Sequence, residues 1–239
     1  MFASSSRQYT GIASFVDRFK FLIFSIMGTI RNGANGGFKG KAGSIIGSSW
    51  KGIHYIKGLY KKRSKPATEE QLMQQAKFGL VTKFLFPIKA LIRIGYGQKR
   101  ANTHTAMNMA VKDNIVQAVV GNYPDYALDY GRVKLSAGGL FTAGDEAMAL
   151  DGRTLSISWN PLKNPVSGED DDGVYTVVYH PGSGQFTTAN VLPIRSEGSV
   201  EINLPVNWAG GAAHVWLFYG ERKLKELSDT VYVGEVTIA

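Results

Sequence analysis

The chain has four histidines, His54, His104, His180 and His214, and none has a histidine partner at the two-, three- or four-residue spacing of a local ligand pair. A zinc or acid–base cluster built on them would have to assemble wholly through tertiary contact, so surface or half-buried imidazoles are the expectation. Cysteine is absent. That excludes disulfides, thiolate metal ligands and cysteine nucleophiles, and it leaves the redox compartment open. The run Glu169-Asp-Asp-Asp172 clusters carboxylates in a loop ahead of a strand but lacks the Asp-x-Asp-x-Asp-Gly spacing of a calcium loop. It reads as a solvated turn, with cation binding left open, and Asp145-Glu146 is a weaker case. No Gly-x-Ser-x-Gly elbow and no Gly-x-x-x-x-Gly-Lys-Ser/Thr phosphate loop occurs; Gly36-x-x-x-Gly40-Lys41 has the wrong spacing and is followed by Ala42. No catalytic residue, metal site or cofactor is expected.

The chemistry that stands out is cationic and aromatic. Residues 28–65 hold nine Lys/Arg and no acidic residue. Arg31, Lys39, Lys41, Lys51, Lys57, Lys61, Lys62, Arg63 and Lys65 lie among Phe38, Trp50, Tyr55 and Tyr60. Cations interleaved with rings suit phosphate contact with base stacking, and glycines let a backbone approach a polyanion closely. The same composition suits two other roles. The lysines can keep an exposed sheet edge soluble and unpaired while Trp50 and Tyr55 anchor the fold. The segment can also dock on an acidic protein surface, including the acidic part of a second copy. The candidate contact residues are Arg31, Lys39, Lys41, Trp50, Lys51, Tyr55, Lys57, Lys61, Lys62, Arg63 and Lys65.

Elements must hold these side chains. The chain has 239 residues, 44% hydrophobic and 19% charged, the balance of a globular protein. Its net charge of +8 is split. Residues 1–120 carry 19 Lys/Arg against 4 Asp/Glu, and residues 121–239 carry 8 against 15. Phe21–Met27 is the longest apolar run near the start and is far short of the ~20 residues of a membrane-spanning helix. Asp17 and the lack of a small-x-small site argue against a cleaved signal. Residues 1–27 are expected to be a disordered or mis-started leader, with Met27 an alternative start. Cytoplasmic or particle-bound residence is expected.

Residues 28–125 read as a basic β-arm plus a helical hairpin. Ser44-Ile-Ile46 and Trp50–Ile56 are short β-compatible pieces between glycines, with Ile53 and Tyr55 on one parity and Trp50, His54 and Ile56 on the other. Thr68-Glu-Glu-Gln71 is a capping box, and Leu72, Ala76, Leu80, Phe84 and Ile88 recur every four residues. Pro87 ends that helix; a second piece spans 88–94, and a third spans about 103–120. The helices are expected to pack on each other and on the arm. From about residue 126 the period becomes two. Strands are expected near Leu128–Leu135, Thr154–Trp159, Val174–Tyr179, Val200–Leu204, His214–Tyr219 and Thr230–Ile238, forming an antiparallel sandwich over 126–239 with its core at 150–239. The fold class is therefore α+β.

Two resemblances add to this reading. Gly36-Gly-Phe-Lys-Gly-Lys-Ala-Gly43, Gly47-Ser-Ser-Trp-Lys-Gly-Ile-His-Tyr55 and Arg63-x-x-Pro66-x-Thr-x-x-Gln71, with the closing Ser228-Asp-Thr-Val-Tyr-Val-Gly234, resemble a Bacteroidetes family known only as a domain of unknown function. The Pro-x-Thr-x-x-Gln helix more loosely resembles phage and prophage proteins, although Gln75 stands where those carry Arg and Lys65 where they carry Asn. Trp159 closing a Leu-x-Ile-x-Trp strand, Tyr175–Tyr179 and Trp216–Tyr219 resemble a fibronectin type III or immunoglobulin-like sandwich. The resemblances imply no known activity; they imply a non-enzymatic structural or interaction protein, such as an assembly component of a virion-like particle or mobile element. Nucleic-acid binding through residues 31–65 is the alternative. A secreted adhesion or glycan-binding module is a second; its support is Trp208 as an exposed ring, although that residue reads first as a plug over the end of the sandwich.

Overall fold

The computed structural model describes residues 29–30, 36–50, 52–62, 64–97, 104–161 and 168–238. The expected leader, 1–27, lies outside them, as do Arg31, Lys51 and Arg63. The chain forms two compact units, Met1–Pro66 and Ala67–Ala239.

In the first unit the glycine-rich sequence folds into an antiparallel meander of four strands in chain order: β1 (Thr29–Ile30), β2 (Phe38–Ala42), β3 (Ile45–Trp50) and β4 (Ile53–Gly58). Two-residue turns join the last three. Gly43 (φ 59°) opens one and Gly52 (φ 84°) closes the other, positions where a side chain would be strained. The second turn corrects the reading of Trp50–Ile56 as one continuous piece. The chain reverses between Trp50 and Ile53, so Trp50 faces Ile53 across the hairpin and shares its side with Tyr55, not with His54 and Ile56.

Among its described residues, the second unit has three helices and three small antiparallel sheets. Helix α1 (Glu69–Leu85) starts on the expected capping box: the Gln71 amide donates to Thr68 Oγ1 (3.4 Å) and the Thr68 amide donates to Gln71 Oε1 (3.3 Å). Pro87 falls in the turn after it. Helix α2 (Lys89–Gly95) and helix α3 (Ala106–Gln117), the latter capped by Thr105, follow. One sheet runs β10 (Gln185–Thr187), β9 (Gly173–His180), β12 (Ala212–Gly220), β13 (Val231–Thr237), and a second runs β11 (Ser199–Asn203), β8 (Thr154–Ser158), β7 (Ala147–Asp151). The third is the pair β5 (Val119–Val120) and β6 (Ala127–Leu128).

The two larger sheets share one core. Val174, Val178, Ala213, Val215, Leu217 and Tyr219 on β9 and β12 meet Leu155, Ile157 and Ile202 on β8 and β11, with Trp159 and Trp208 completing the cluster. The opposite face of β9 and β12 is buried as well. Val177, Tyr179 and Trp216 there pack under Val81, Phe84 and Leu85 of α1, Ile92 of α2 and Ala110 and Val111 of α3. The arrangement is α+β with three layers: helices, a central sheet and an outer sheet. The helices therefore close on the sheet, and the chain divides at Pro66. The change of period near residue 126 marks a change of layer inside the second unit, not a boundary between units.

Three further details differ from expectation. The alternation across Gly131 yields only β6 and then a short 3-10 turn at Tyr130–Arg132. Val133 and Leu135 are nonetheless core residues, and the amides of Leu135 and Ser136 both donate to Thr230 Oγ1 at 2.8 Å. Strands β7 and β10, which were not among the expected strands, complete the two sheets.

Candidate functional site

The register of the arm decides which of its side chains act together. Ile46 pairs with Lys41 on one side and Lys57 on the other; Ser48 pairs with Tyr55, and Trp50 with Ile53. Directly opposed residues of an antiparallel ladder project to the same face, and residues two apart along a strand do likewise. One face therefore carries Lys39, Lys41, Trp50, Tyr55 and Lys57 together. Lys39, Lys41 and Lys57 are exposed, Trp50 is 49% exposed and Tyr55 42%. Five of the eight candidate contact residues that are described thus share a surface. The other three, Lys61, Lys62 and Lys65, follow β4 and are exposed.

The reverse face is where the glycines act. The Phe38 ring lies over Gly47, and the His54 ring lies over Gly37; a Cβ at either glycine would collide with the ring above it. These small residues let two rings lie flat on the sheet. Trp50 and Tyr55 are therefore not the anchors of the arm, and the ring that packs on Gly47 is that of Phe38.

Beyond the arm, the titratable groups are dispersed. His180 and His214 lie on opposite faces of the central sheet. His180 stacks on Trp208 (5.1 Å between ring centres) and its Nδ1 accepts from the Ser183 amide (3.1 Å). His214 stacks on Tyr130 (4.2 Å) and its Nδ1 lies 2.9 Å from the Tyr232 hydroxyl. Burial pushes the His214 imidazole below its ordinary value of 6.5, against the opposing pull of Glu235. Burial likewise pushes the Tyr130 phenol up to about 12. A cleft of about 380 Å³ opens between α1 and the central sheet beside Leu80, Phe84, Pro87, Tyr130 and Phe186; its only charged lining residue is Lys83. Among the described residues, no group of three or more His, Asp or Glu side chains could hold a metal ion.

The acidic loop is more structured than its composition indicates. Asp172 is 1% exposed and its Oδ2 lies 3.2 Å from Nη2 of Arg195, itself 1% exposed. The same oxygen accepts the Glu169 amide at 3.0 Å. Arg195 also donates to the Phe141 carbonyl (2.9 Å), and its guanidinium lies over the Tyr219 ring at 4.6 Å. Burial raises the Asp172 carboxyl, and the Glu169 amide and Arg195 only partly offset it. This pair was missed because a lone Arg in Pro193-Ile-Arg195 carries no spacing signal toward residue 172. Asp171, by contrast, is a surface partner of Arg222 at 3.4 Å. Trp208 is fully buried, as a plug over the sandwich end would be and not as a surface ring, and donates to Gln185 Oε1 at 3.2 Å.

A small basic sheet with one cationic, aromatic face, followed by a three-layer α+β unit, defines a two-unit protein. The model of a family of unknown function (DUF6266) matches residues 37–234, spanning strands β2 to β13, and the chain belongs to that family. Comparison with curated proteins finds no match. No helix among the described residues is long and apolar enough to cross a membrane.

Proposed function

We propose that this chain is a non-enzymatic structural or interaction protein that makes its contacts through the lysine- and aromatic-bearing face of the arm. The observation that carries this is the register, which gathers Lys39, Lys41, Lys57, Trp50 and Tyr55 on one face. An exposed Trp and Tyr beside three ammonium groups match the composition of contact surfaces, where aromatic rings supply the energy and charge supplies selection and approach. The second unit has the opposite sign: residues 67–239 hold 15 Lys/Arg against 18 Asp/Glu. It serves as the inert body, a fibronectin type III-like sandwich with a helical cover. An acidic protein surface, including that body in a neighbouring copy, is the favoured partner, in keeping with an assembly component of a virion-like or mobile-element particle. The test is light scattering and pull-down of the full chain across ionic strength. Association that falls with salt and is lost in the Lys39→Glu, Lys41→Glu, Lys57→Glu triple variant supports the reading. A triple variant that associates like the parent removes it.

Nucleic acid is a second reading, favoured by the exposure of Trp50, Tyr55 and Tyr60 (87%) between lysines. It requires retention of single-stranded DNA or RNA that declines steeply with salt. No retention at low salt ends it. The adhesion reading loses its surface ring, since Trp208 is a core residue.

A further inference from the structure

Strand β4 is the last strand of the arm sheet, and all six of its residues are exposed. Its hydrogen-bonding phase follows from the ladder. The Leu59 amide donates to the Ser44 carbonyl (3.3 Å), and Trp50 and Ile53 flank a two-residue turn. In an antiparallel pair the bonded positions alternate. Ile53, Tyr55, Lys57 and Leu59 therefore spend their backbone groups on β3. The N–H and C=O of His54, Ile56 and Gly58 point outward, and no strand among the described residues pairs with them. The edge is also apolar: Ile53 is 59% exposed and Ile56 63%. Edge strands of soluble proteins are usually blunted by bulges, prolines, cover or charged side chains, and within residues 53–58 this one has only Lys57.

We infer that the outer edge of β4 pairs antiparallel with β4 of a second copy, about a two-fold axis through Ile56, joining two arms into one continuous sheet. The inference rests on the reading of the arm as the contact element and adds to it a second contact, made through the strand edge and not through the cationic face. The register is the reason for choosing a second copy. Centred on Ile56, the pairing sets Ile56 against its own counterpart and His54 against Gly58, around which there is open space where a side chain would project. It sets Tyr55 against Lys57 of the other copy twice over. Tyr55 and Lys57 would occupy a non-hydrogen-bonded site, where side chains approach most closely, so each ammonium meets a ring and not another ammonium. The outward amides would all be satisfied, and the two cationic faces would lie on the same side of the joined sheet.

The test exploits the absence of cysteine. In the full chain, Ile56→Cys should form a disulfide-linked dimer on mild oxidation, because paired Cα atoms at a hydrogen-bonded site are about 5.5 Å apart, within disulfide reach. Ser49→Cys, on the interior strand β3, should remain monomeric. Tyr55→Lys, which opposes two ammonium groups, should weaken dimerisation about tenfold or more in sedimentation equilibrium. Adding Lys57→Tyr to it, at unchanged net charge relative to the parent, should restore dimerisation. Added salt should strengthen this association, since it brings two basic arms together, whereas the contacts under Proposed function weaken with salt. Equal crosslinking at positions 49 and 56, no crosslinking at 56, or failure of the second substitution to rescue the first would overturn the inference. Salt-weakened association abolished by the triple Lys→Glu variant would still leave the broader reading standing.

Discussion

Arg195 and Asp172 form an ion pair of 3.2 Å from which water is excluded on both sides. The pair ties the acidic loop to the segment before β11. Removing one partner leaves the other charge buried alone, which costs about 3–5 kcal/mol, whereas replacing both by apolar groups of similar size is often close to neutral. Asp172→Asn and Arg195→Met should each lower the urea midpoint sharply. Asp172→Leu combined with Arg195→Met should lie well above the sum of the single losses. Additive losses would show that the pair is not coupled.

His214 is the second electrostatic lever. Its imidazole titrates below 6.5 because it is buried on the helix side of the central sheet. A histidine depressed in the folded state binds its proton more readily when unfolded, so stability is lost as pH falls below 6.5. His214→Gln should flatten the dependence of the unfolding midpoint on pH in that acid range. An unchanged slope would assign the acid sensitivity to other groups, such as the carboxylates.

The helices and the central sheet meet at Phe84. Its ring stands edge-on to Tyr179 (5.0 Å) and Phe186 (5.2 Å), with Trp216 at 6.2 Å. Phe84→Ala should cost about 3–5 kcal/mol, the range for an emptied aromatic core position, and should speed amide exchange along α1 and β9 together. Loosening of α1 with β9 unchanged would mean that the helix is not part of the same cooperative unit.

The arm offers a paired control. Gly47→Ala drives a methyl into the Phe38 ring and carbonyl, whereas Gly58→Ala meets nothing within 4 Å. The first substitution should cost about 1–3 kcal/mol and lower hydrogen-exchange protection in β2 and β3. The second should leave protection unchanged or slightly raised. Equal effects would mean that the Phe38 ring does not rest on Gly47.

Much of this molecule is legible before any coordinates. Thr68 and Gln71 announce a helix start by local hydrogen bonding alone, and five of the strands in the second unit follow from short apolar or alternating runs between turn residues. The layers were harder to read. His214-Val-Trp-Leu-Phe-Tyr219 is nearly continuous in apolar character, the signature of a strand covered on both faces, and reading it as one side of a free sandwich seated the helices on the arm and not on this sheet. The arm's face was misread for a different reason: the chain turns back between Trp50 and Ile53, and one reversal reassigns every side chain beyond it. The Asp172–Arg195 pair has no local signature, since its partners meet only once β9 and the segment before β11 are in place.

The central sheet of the second unit has one consequence for evolution within the family. With helices on one side and strands on the other, β9 and β12 have almost no freedom to acquire new specificities, because nearly every position on them is answered by a neighbour. Innovation in this half is channelled to the solvent side of the outer sheet, where Ala147, Ala149, Asp151, Ser158, Ser199, Glu201 and Asn203 are exposed. Divergence among relatives should concentrate there, while the spine beneath changes only in concert.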